Sequence, residues 1–230
     1  DNCESMGAEF DGKKAGTFGK LGTLSTFFSH HISTMEGGII VTDDEEIYNI
    51  LLSIRAHGWT RNLPNDNLIH KKSTNPFYEQ FKFILPGYNV RPLEMSGAIG
   101  IEQLNKLPSF IDTRIANAQY FQSKFIDNKN FIIQKQIGKS SWFGFSLIIQ
   151  DDSNLERETV IEFLNTNGIE TRPIVTGNFL NNPVIKFFNY EVHENVKNAE
   201  KLDKQGFFVG NHHYQMNTQI DLLSQLINKL

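Results

Sequence analysis

From Ser25 to Gly38 the chain reads Ser-Thr-Phe-Phe-Ser-His-His-Ile-Ser-Thr-Met-Glu-Gly-Gly, placing two adjacent imidazoles, His30 and His31, among hydroxyls. Imidazole titrates near neutrality, so a histidine here can take up or release a proton at physiological pH. Ligation of one metal ion by both is disfavoured, because neighbouring residues on an extended strand point to opposite faces. For the pair taken alone, a surface or core role competes with a catalytic one. The polar segment interrupts two apolar runs, Leu24 to Phe28 and Gly38 to Thr42. Both are short, rich in β-formers and bounded by turn residues, and they predict buried strands. A junction between two such strands is where a cofactor or substrate is expected.

The elements that must position this junction follow from the pattern downstream. Asp43-Asp44-Glu45-Glu46 puts acids where a helix dipole favours them. Ile47, Ile50, Leu51 and Ile54 then supply the apolar face of a helix that stops near Gly58. From Trp59 to Pro86 no period is evident, which predicts a long loop, and such loops are often functional. Leu93 to Leu104 reads as another helix, with Gly97, Ala98 and Gly100 permitting close packing, and Pro108 marks a boundary. Beyond Ser109 the pattern is helix (Phe110 to Phe125), strand (Phe131 to Ile133), strand (Phe143 to Ile149) and helix (Leu155 to Asn167). An extended piece (Glu170 to Ile174) follows, then helices near Glu194 to Lys204 and Thr218 to Leu230. This is an α+β lobe with its own hydrophobic set, so residues 1–108 and 109–230 are expected to form separate domains. Asp1 opens on what reads as the end of an element, so an N-terminal portion of the first domain is expected to be missing.

Composition limits the classes of function. A length of 230 residues suits one large domain or two lobes, and 39% hydrophobic with 21% charged residues is ordinary for a globular chain. A net charge of −4 with no Lys/Arg run argues against a nucleic-acid partner. No apolar stretch reaches membrane-spanning length and no signal-peptide pattern opens the chain, so no membrane partner is expected. Cys3 is the single cysteine, which excludes an internal disulfide framework and a zinc site built from several thiolates. Together these point to the cytoplasm.

Reading outward from the histidines yields an ordered set of motifs. They are Asp1…Glu4…Gly7, Gly16…Gly19…Ser25…His30…Glu36-Gly37-Gly38, Arg55-Ala56-His57-Gly58 and Gly87-Tyr88-Asn89-Val90-Arg91. Ala98 to Leu104 and Gly168 to Pro173 extend the set along the chain. In this order they resemble the sugar aminotransferase family of the aspartate-aminotransferase fold, which acts on nucleotide-linked keto sugars. The resemblance implies an α/β chain of fold type I: the C-terminal part of the large cofactor-binding domain, followed by a small α+β domain. It implies pyridoxal 5′-phosphate or pyridoxamine 5′-phosphate as cofactor. Asp1 would lie against the ring nitrogen, keeping it protonated and the ring an electron sink. Glu4 would lie beside the cofactor, and Ser25 would hydrogen-bond its phosphate. Asn89 would reach the phosphate from the other subunit of a homodimer with shared active sites. As lone residues, Asp1 would read as the end of a strand and Asn89 as a turn former after Gly87.

In most of that family a lysine lies eight residues before the second glycine of the Glu-Gly-Gly motif and holds the cofactor covalently. Counting back from Gly38 gives His30, five residues after Ser25, and Lys20 lies before the strand. Imidazole forms no stable imine with the cofactor aldehyde, so noncovalent binding and a pyridoxamine resting form are expected, with His30 as base. The resemblance thereby narrows to a branch with this replacement, the 3-dehydratases of nucleotide-linked 4-keto-6-deoxy sugars. It implies L-glutamate as amino donor, removal of a cofactor proton by His30 and loss of the C3 hydroxyl. The product would be a 4-keto-3,6-dideoxy sugar with release of ammonia, as in lipopolysaccharide O-antigen synthesis. Glu4 supports this branch, since ordinary aminotransferases of the family carry glutamine or histidine there.

A second histidine branch uses an iron–sulfur cluster, which needs several cysteine thiolates. Trp59 to Ile84 contains none, so neither that cluster nor another metal is expected. On the family pattern His57 and Arg61 face the substrate, Arg61 being suited to diphosphate oxygens, with plain surface charge the alternative. Glu170 and Arg172 would face the sugar from the small domain, with a surface ion pair as the alternative. His31, His212 and His213 are read as structural. Two competing functions remain: an aminotransferase that tolerates His30, and a catalytically silent sugar-nucleotide-binding regulator. A complete Asp1, Ser25 and Asn89 cradle argues against the second.

Overall fold

The computed structural model describes residues 1–230 and divides into two compact units, Asp1–Leu107 and Pro108–Leu230. In the first unit, β1 (Glu9–Phe10) and β2 (Lys13–Lys14) form a tight antiparallel hairpin. Its Asp11-Gly12 turn has φ of 48° and 74°, the left-handed pair that matches strand twist. β3 (Gly22–Ser25) pairs antiparallel with β4 (Gly38–Val41), Ser25 opposite Gly38. α1 (Glu45–Ile54) starts at Asp44, whose carboxylate accepts from Ile47 N at 3.0 Å, and Glu45 and Glu46 occupy its first turn.

Four expectations require correction in this unit, the first being the Leu24 to Phe28 run, which stays extended only to Ser25 and leaves Phe28 exposed. β4 is a strand but is not buried: Ile39 and Ile40 are 38% and 49% exposed. Its apolar, β-branched composition favours extended backbone, but burial needs a second layer, and its pairing here is with β3 alone. The segment after Trp59 is not wholly irregular, since α2 (Pro76–Glu79) forms one turn capped by the Asn75 side chain. Pro108 stands where the two units divide but does not end a helix. α3 runs unbroken from Glu94 to Phe125 with Pro108 inside it, the lost hydrogen bond and ring clash of the proline being carried by the rest of a long helix.

The second unit is a three-stranded antiparallel sheet, order β5 (Phe131–Ile133), β6 (Gly144–Ile149), β7 (Gly206–Gly210), with helices against one face. Phe145, Leu147 and Ile149 of central β6 point inward at alternate positions. They pack with Phe121 and Phe125 of α3, Val160 and Leu164 of α4 (Arg157–Thr166), and Leu223 and Ile227 of α6 (Asn217–Ile227). β7 follows α5 (Lys197–Gln205) and escaped sequence reading because glycines flank a short Phe-Phe-Val run. The expected extended piece from Glu170 contributes no strand, only a single bridge, Arg172 to Phe208.

A buried polar knot ties the helical layer to the strand ends. Arg114, 4% exposed, donates to Asn211 O at 2.6 Å and Phe143 O at 3.2 Å. Asn211 returns bonds to Arg114 O and Trp142 O at 3.0 and 2.9 Å, while Asn117 donates to Tyr214 O at 2.8 Å. Burial brings Arg114 down to about 10, so it stays charged at neutral pH. His212 and His213 are held below the ordinary histidine range chiefly by burial, beside this knot.

Candidate active site

The first group of candidate residues is assembled by β3. Residues two apart on a strand share a face, so Thr23 and Ser25 project together. The opening segment lies alongside, pinned by Asn2 N donating to Thr23 O at 2.8 Å. This sets Asp1, whose Oδ1 accepts from Cys3 N at 3.1 Å and lies 3.5 Å from Thr23 Oγ1. At the other end of the face, Ser25 Oγ accepts from Phe27 N at 3.2 Å and lies 3.4 Å from His30 Nδ1. His30 Nε2 faces Glu4 Oε1 at 3.9 Å, and the ring stands edge-on to Phe27. Asp1, Glu4, Ser25 and His30 therefore share one face of β3, although up to 29 positions separate them. His31 is 2% exposed and belongs to the packed interior.

This donor set fits a phosphorylated pyridine. A carboxylate at one end suits a ring N–H, a hydroxyl at the other suits a phosphate oxygen, and an imidazole, able to accept or donate a proton, lies between Ser25 and Glu4. Lys20 precedes β3, and its carbonyl accepts from Thr42 Oγ1 at 2.6 Å.

The second group comes from two turns in contact. Ala56 and Asn89 form a bridge, with His57 N donating to Tyr88 O at 2.7 Å and Val90 N to Arg55 O at 3.0 Å. Glycine is required at this crossing. A Cβ on Gly58, which has φ of +81°, would fall 1.6 Å from Leu85 O, and one on Gly87 would fall 2.3 Å from Gly58 N. His57 itself has a positive φ of 64°, and its side chain and that of Asn89 are exposed. Asn89 Oδ1 accepts from Arg91 at 3.2 Å.

Arg61 is held by aromatic stacking. Its guanidinium lies 3.7 Å over the Trp59 ring, which stacks with Phe81 and Phe83 at centroid distances of 5.6 and 5.7 Å. Beneath this layer, Glu79 accepts from Ser73 N at 2.7 Å and Thr60 Oγ1 at 3.0 Å, and meets His70 Nε2 at 3.1 Å. These donors, the Ser73 amide foremost, lower its carboxyl from 4.5 to about 2. A depressed folded pKa stabilises above the unfolded value and loses that contribution as pH falls through the folded one. The loop is therefore expected to keep its amide protection above pH 4.5 and lose it between about 4.5 and 2. Hydrogen exchange at Ser73 checks this, and Glu79→Gln is expected to lose protection at neutral pH and show no acid step.

Glu170 and Arg172 lie in the second unit and pair with each other at 2.8 Å, with side chains 77% and 61% exposed. Sequence reasoning did not single out Glu79, nor Thr26 and Thr34, whose buried hydroxyls meet on the segment that carries His30. Thr60 is one residue from Arg61, yet nothing in its spacing to Glu79 signals a contact.

An α/β scaffold of the pyridoxal-phosphate fold type I, carrying a cofactor-type cradle on β3, sets the class. The chain belongs to the DegT/DnrJ/EryC1/StrS aminotransferase family, whose pattern matches residues 1–224. It is 63% identical over 229 residues to the GDP-4-keto-6-deoxy-D-mannose 3-dehydratase of Escherichia coli O55:H7, covering 99% of this chain and 59% of that protein. A solved structure of the E. coli enzyme with bound hydrated PLP superposes with a TM-score of 0.97 at 63% identity, over 99% of this chain and 59% of that one. Another, of a GDP-4-keto-6-deoxymannose-3-dehydratase with a trapped PLP-glutamate geminal diamine, gives 0.96 at 63% identity, over 98% and 59%. The chain thus spans about 59% of the length of these relatives. No helix is long and apolar enough to cross a membrane.

Proposed function

We propose that this chain is part of a pyridoxamine-phosphate-dependent 3-dehydratase of a GDP-linked 4-keto-6-deoxy sugar, with L-glutamate as amino donor. The observation that carries the reading is His30 on the β3 face, between Ser25 and Glu4, at the position where the family places an amine. In this reading the first unit belongs to the large cofactor-binding domain and the second is the small domain. The cofactor, when bound, supplies an amine that joins the C4 ketone and a ring that accepts electrons.

The chain's own residues would do the rest. Asp1 fixes the protonation of the ring nitrogen, and Ser25 donates to a phosphate oxygen. Glu4 faces the same imidazole edge that must move a proton. His30 takes a proton from carbon and, once charged, hands it to the departing C3 hydroxyl. A single group in both roles fits an imidazole, which can act as base and then as acid. Arg61, pre-oriented on Trp59, suits the diphosphate. His57, Glu170 and Arg172 are assigned to the sugar. We assign Asn89 to the phosphate site of a second copy, which its exposed position on a turn allows. The protein would work in the cytoplasm as a homodimer, which an unpaired Cys3 suits.

The balance closes without another reductant. One sugar and one glutamate give one 4-keto-3,6-dideoxy sugar, one 2-oxoglutarate and one ammonia. Incubation of the intact natural protein with cofactor, L-glutamate and GDP-4-keto-6-deoxymannose is expected to give a sugar nucleotide lighter by one oxygen, read by mass spectrometry. A product that keeps all its hydroxyls and carries an amine at C4 would replace this reading with the aminotransferase.

A further inference from the structure

We propose that the Thr26–Thr34 hydroxyl pair, closed over Gly37, is the device that positions His30, an inference that rests on the base role assigned above. His30 lies on the segment joining β3 to β4, and the ends of that segment are tied together. Thr26 N donates to Gly37 O at 3.0 Å and Thr34 N to Thr26 O at 2.8 Å. Thr26 and Thr34 are 2% and 7% exposed, and their hydroxyl oxygens stand 2.7 Å apart.

Each hydroxyl has one proton to give. Thr34 Oγ1 lies 3.1 Å from Glu36 O, so both protons are used when Thr26 donates to Thr34 and Thr34 donates to that carbonyl. Removing the Thr34 hydroxyl strands that of Thr26 in a buried site, where an unmet polar group is costly, while removing that of Thr26 leaves Thr34 bonded to Glu36 O but cuts the side-chain link between the two ends of the segment. Gly37 completes the clasp, since a Cβ there would fall 2.6 Å from Thr26 Oγ1 and 2.7 Å from Thr34 Oγ1. Its neighbour Gly38 differs: a Cβ there meets Leu24 O at an ordinary 3.5 Å.

The segment is also seated from behind. Ser33 N donates to Gln103 Oε1 of α3 at 3.2 Å, and His31 and Ile32 are 2% and 1% exposed. The clasp therefore sets where the backbone carries the imidazole. A reacting group misplaced by about 1 Å can lose on the order of 10²-fold in rate. Thr26 and Thr34 are positioning residues: they act through His30.

The test uses the intact protein with Thr34→Val, which keeps the branched shape, and Thr34→Ser, which keeps the hydroxyl. Thr34→Val is expected to lower kcat by roughly 10- to 100-fold with KM for both substrates changed less than about twofold. Without cofactor, its amides from 26 to 34 should exchange faster while far-UV circular dichroism stays unchanged. Thr34→Ser should recover activity to within about threefold of the parent. Thr26→Val, which removes the donor, gives the same signature if Thr34→Val does not fold. Parental kcat in a folded valine variant, or equal losses in the valine and serine variants, would overturn the clasp. His30→Asn is measured alongside. If that variant turns over normally the base assignment itself fails, and if it is dead while Thr34→Val is normal only the clasp fails.

Discussion

His30→Asn is expected to lower kcat by about 10²- to 10⁴-fold, the usual contribution of a general acid–base group. Asparagine can still meet the Ser25 hydroxyl, 3.4 Å from the native Nδ1, so the fold and cofactor affinity should hold. It does not titrate, so it can neither take the proton from carbon nor return it to a leaving hydroxyl. If the same base also serves the glutamate half-reaction, the loss should fall on kcat for both halves. Stopped-flow absorbance of the bound cofactor follows the first, and product analysis the second. Retention of activity within about threefold would remove His30 from the chemistry.

The second large effect concerns the scaffold. Phe121 is fully buried, its ring 4.4 Å from Phe145 and 4.6 Å from Phe125, nearly parallel to the first. Together these rings join α3 to central β6. Phe121→Ala removes the middle of the stack and leaves a cavity, with an expected cost of about 3–5 kcal/mol. A domain of this size is stable by only about 5–15 kcal/mol, so the second unit should be close to unfolding at 37 °C. Trp142, 1% exposed and 6.3 Å from Phe145, reports on this unit by fluorescence in a urea titration. The midpoint should fall with little change in slope. A shift worth less than about 1 kcal/mol would mean that the stack is not a principal support of the core.

Much of the site was legible because it is set by counting along one strand and its loop. The five-residue step from Ser25 to His30 and the eight-residue step to Gly38 survive any detail of packing. Contacts that join distant positions were not legible. Glu79 meets Thr60, 19 residues away, and Thr26 meets Thr34 through hydroxyls that read as ordinary strand and turn residues.

The fold shows the same division. Asp44 and the acids after it marked the start of α1 because capping is local. The apolar run of β4 predicted a strand correctly and its burial wrongly, because burial belongs to whatever packs above it. Pro108 marked the division between the units correctly and misled only on the helix, which runs through it over 32 residues. Glu170 and Arg172 form the surface ion pair that their charges alone allowed, satisfying each other in the open.

The fate of the glutamate nitrogen tests the central claim most directly. The intact protein would be given ¹⁵N-labelled L-glutamate, cofactor and GDP-4-keto-6-deoxymannose, and the label followed by NMR and mass spectrometry. A base at position 30 that drives loss of the C3 hydroxyl predicts ¹⁵N in free ammonia, in step with 2-oxoglutarate, and none in the sugar. Label retained at C4 of the sugar nucleotide, with its C3 hydroxyl intact, would contradict the account.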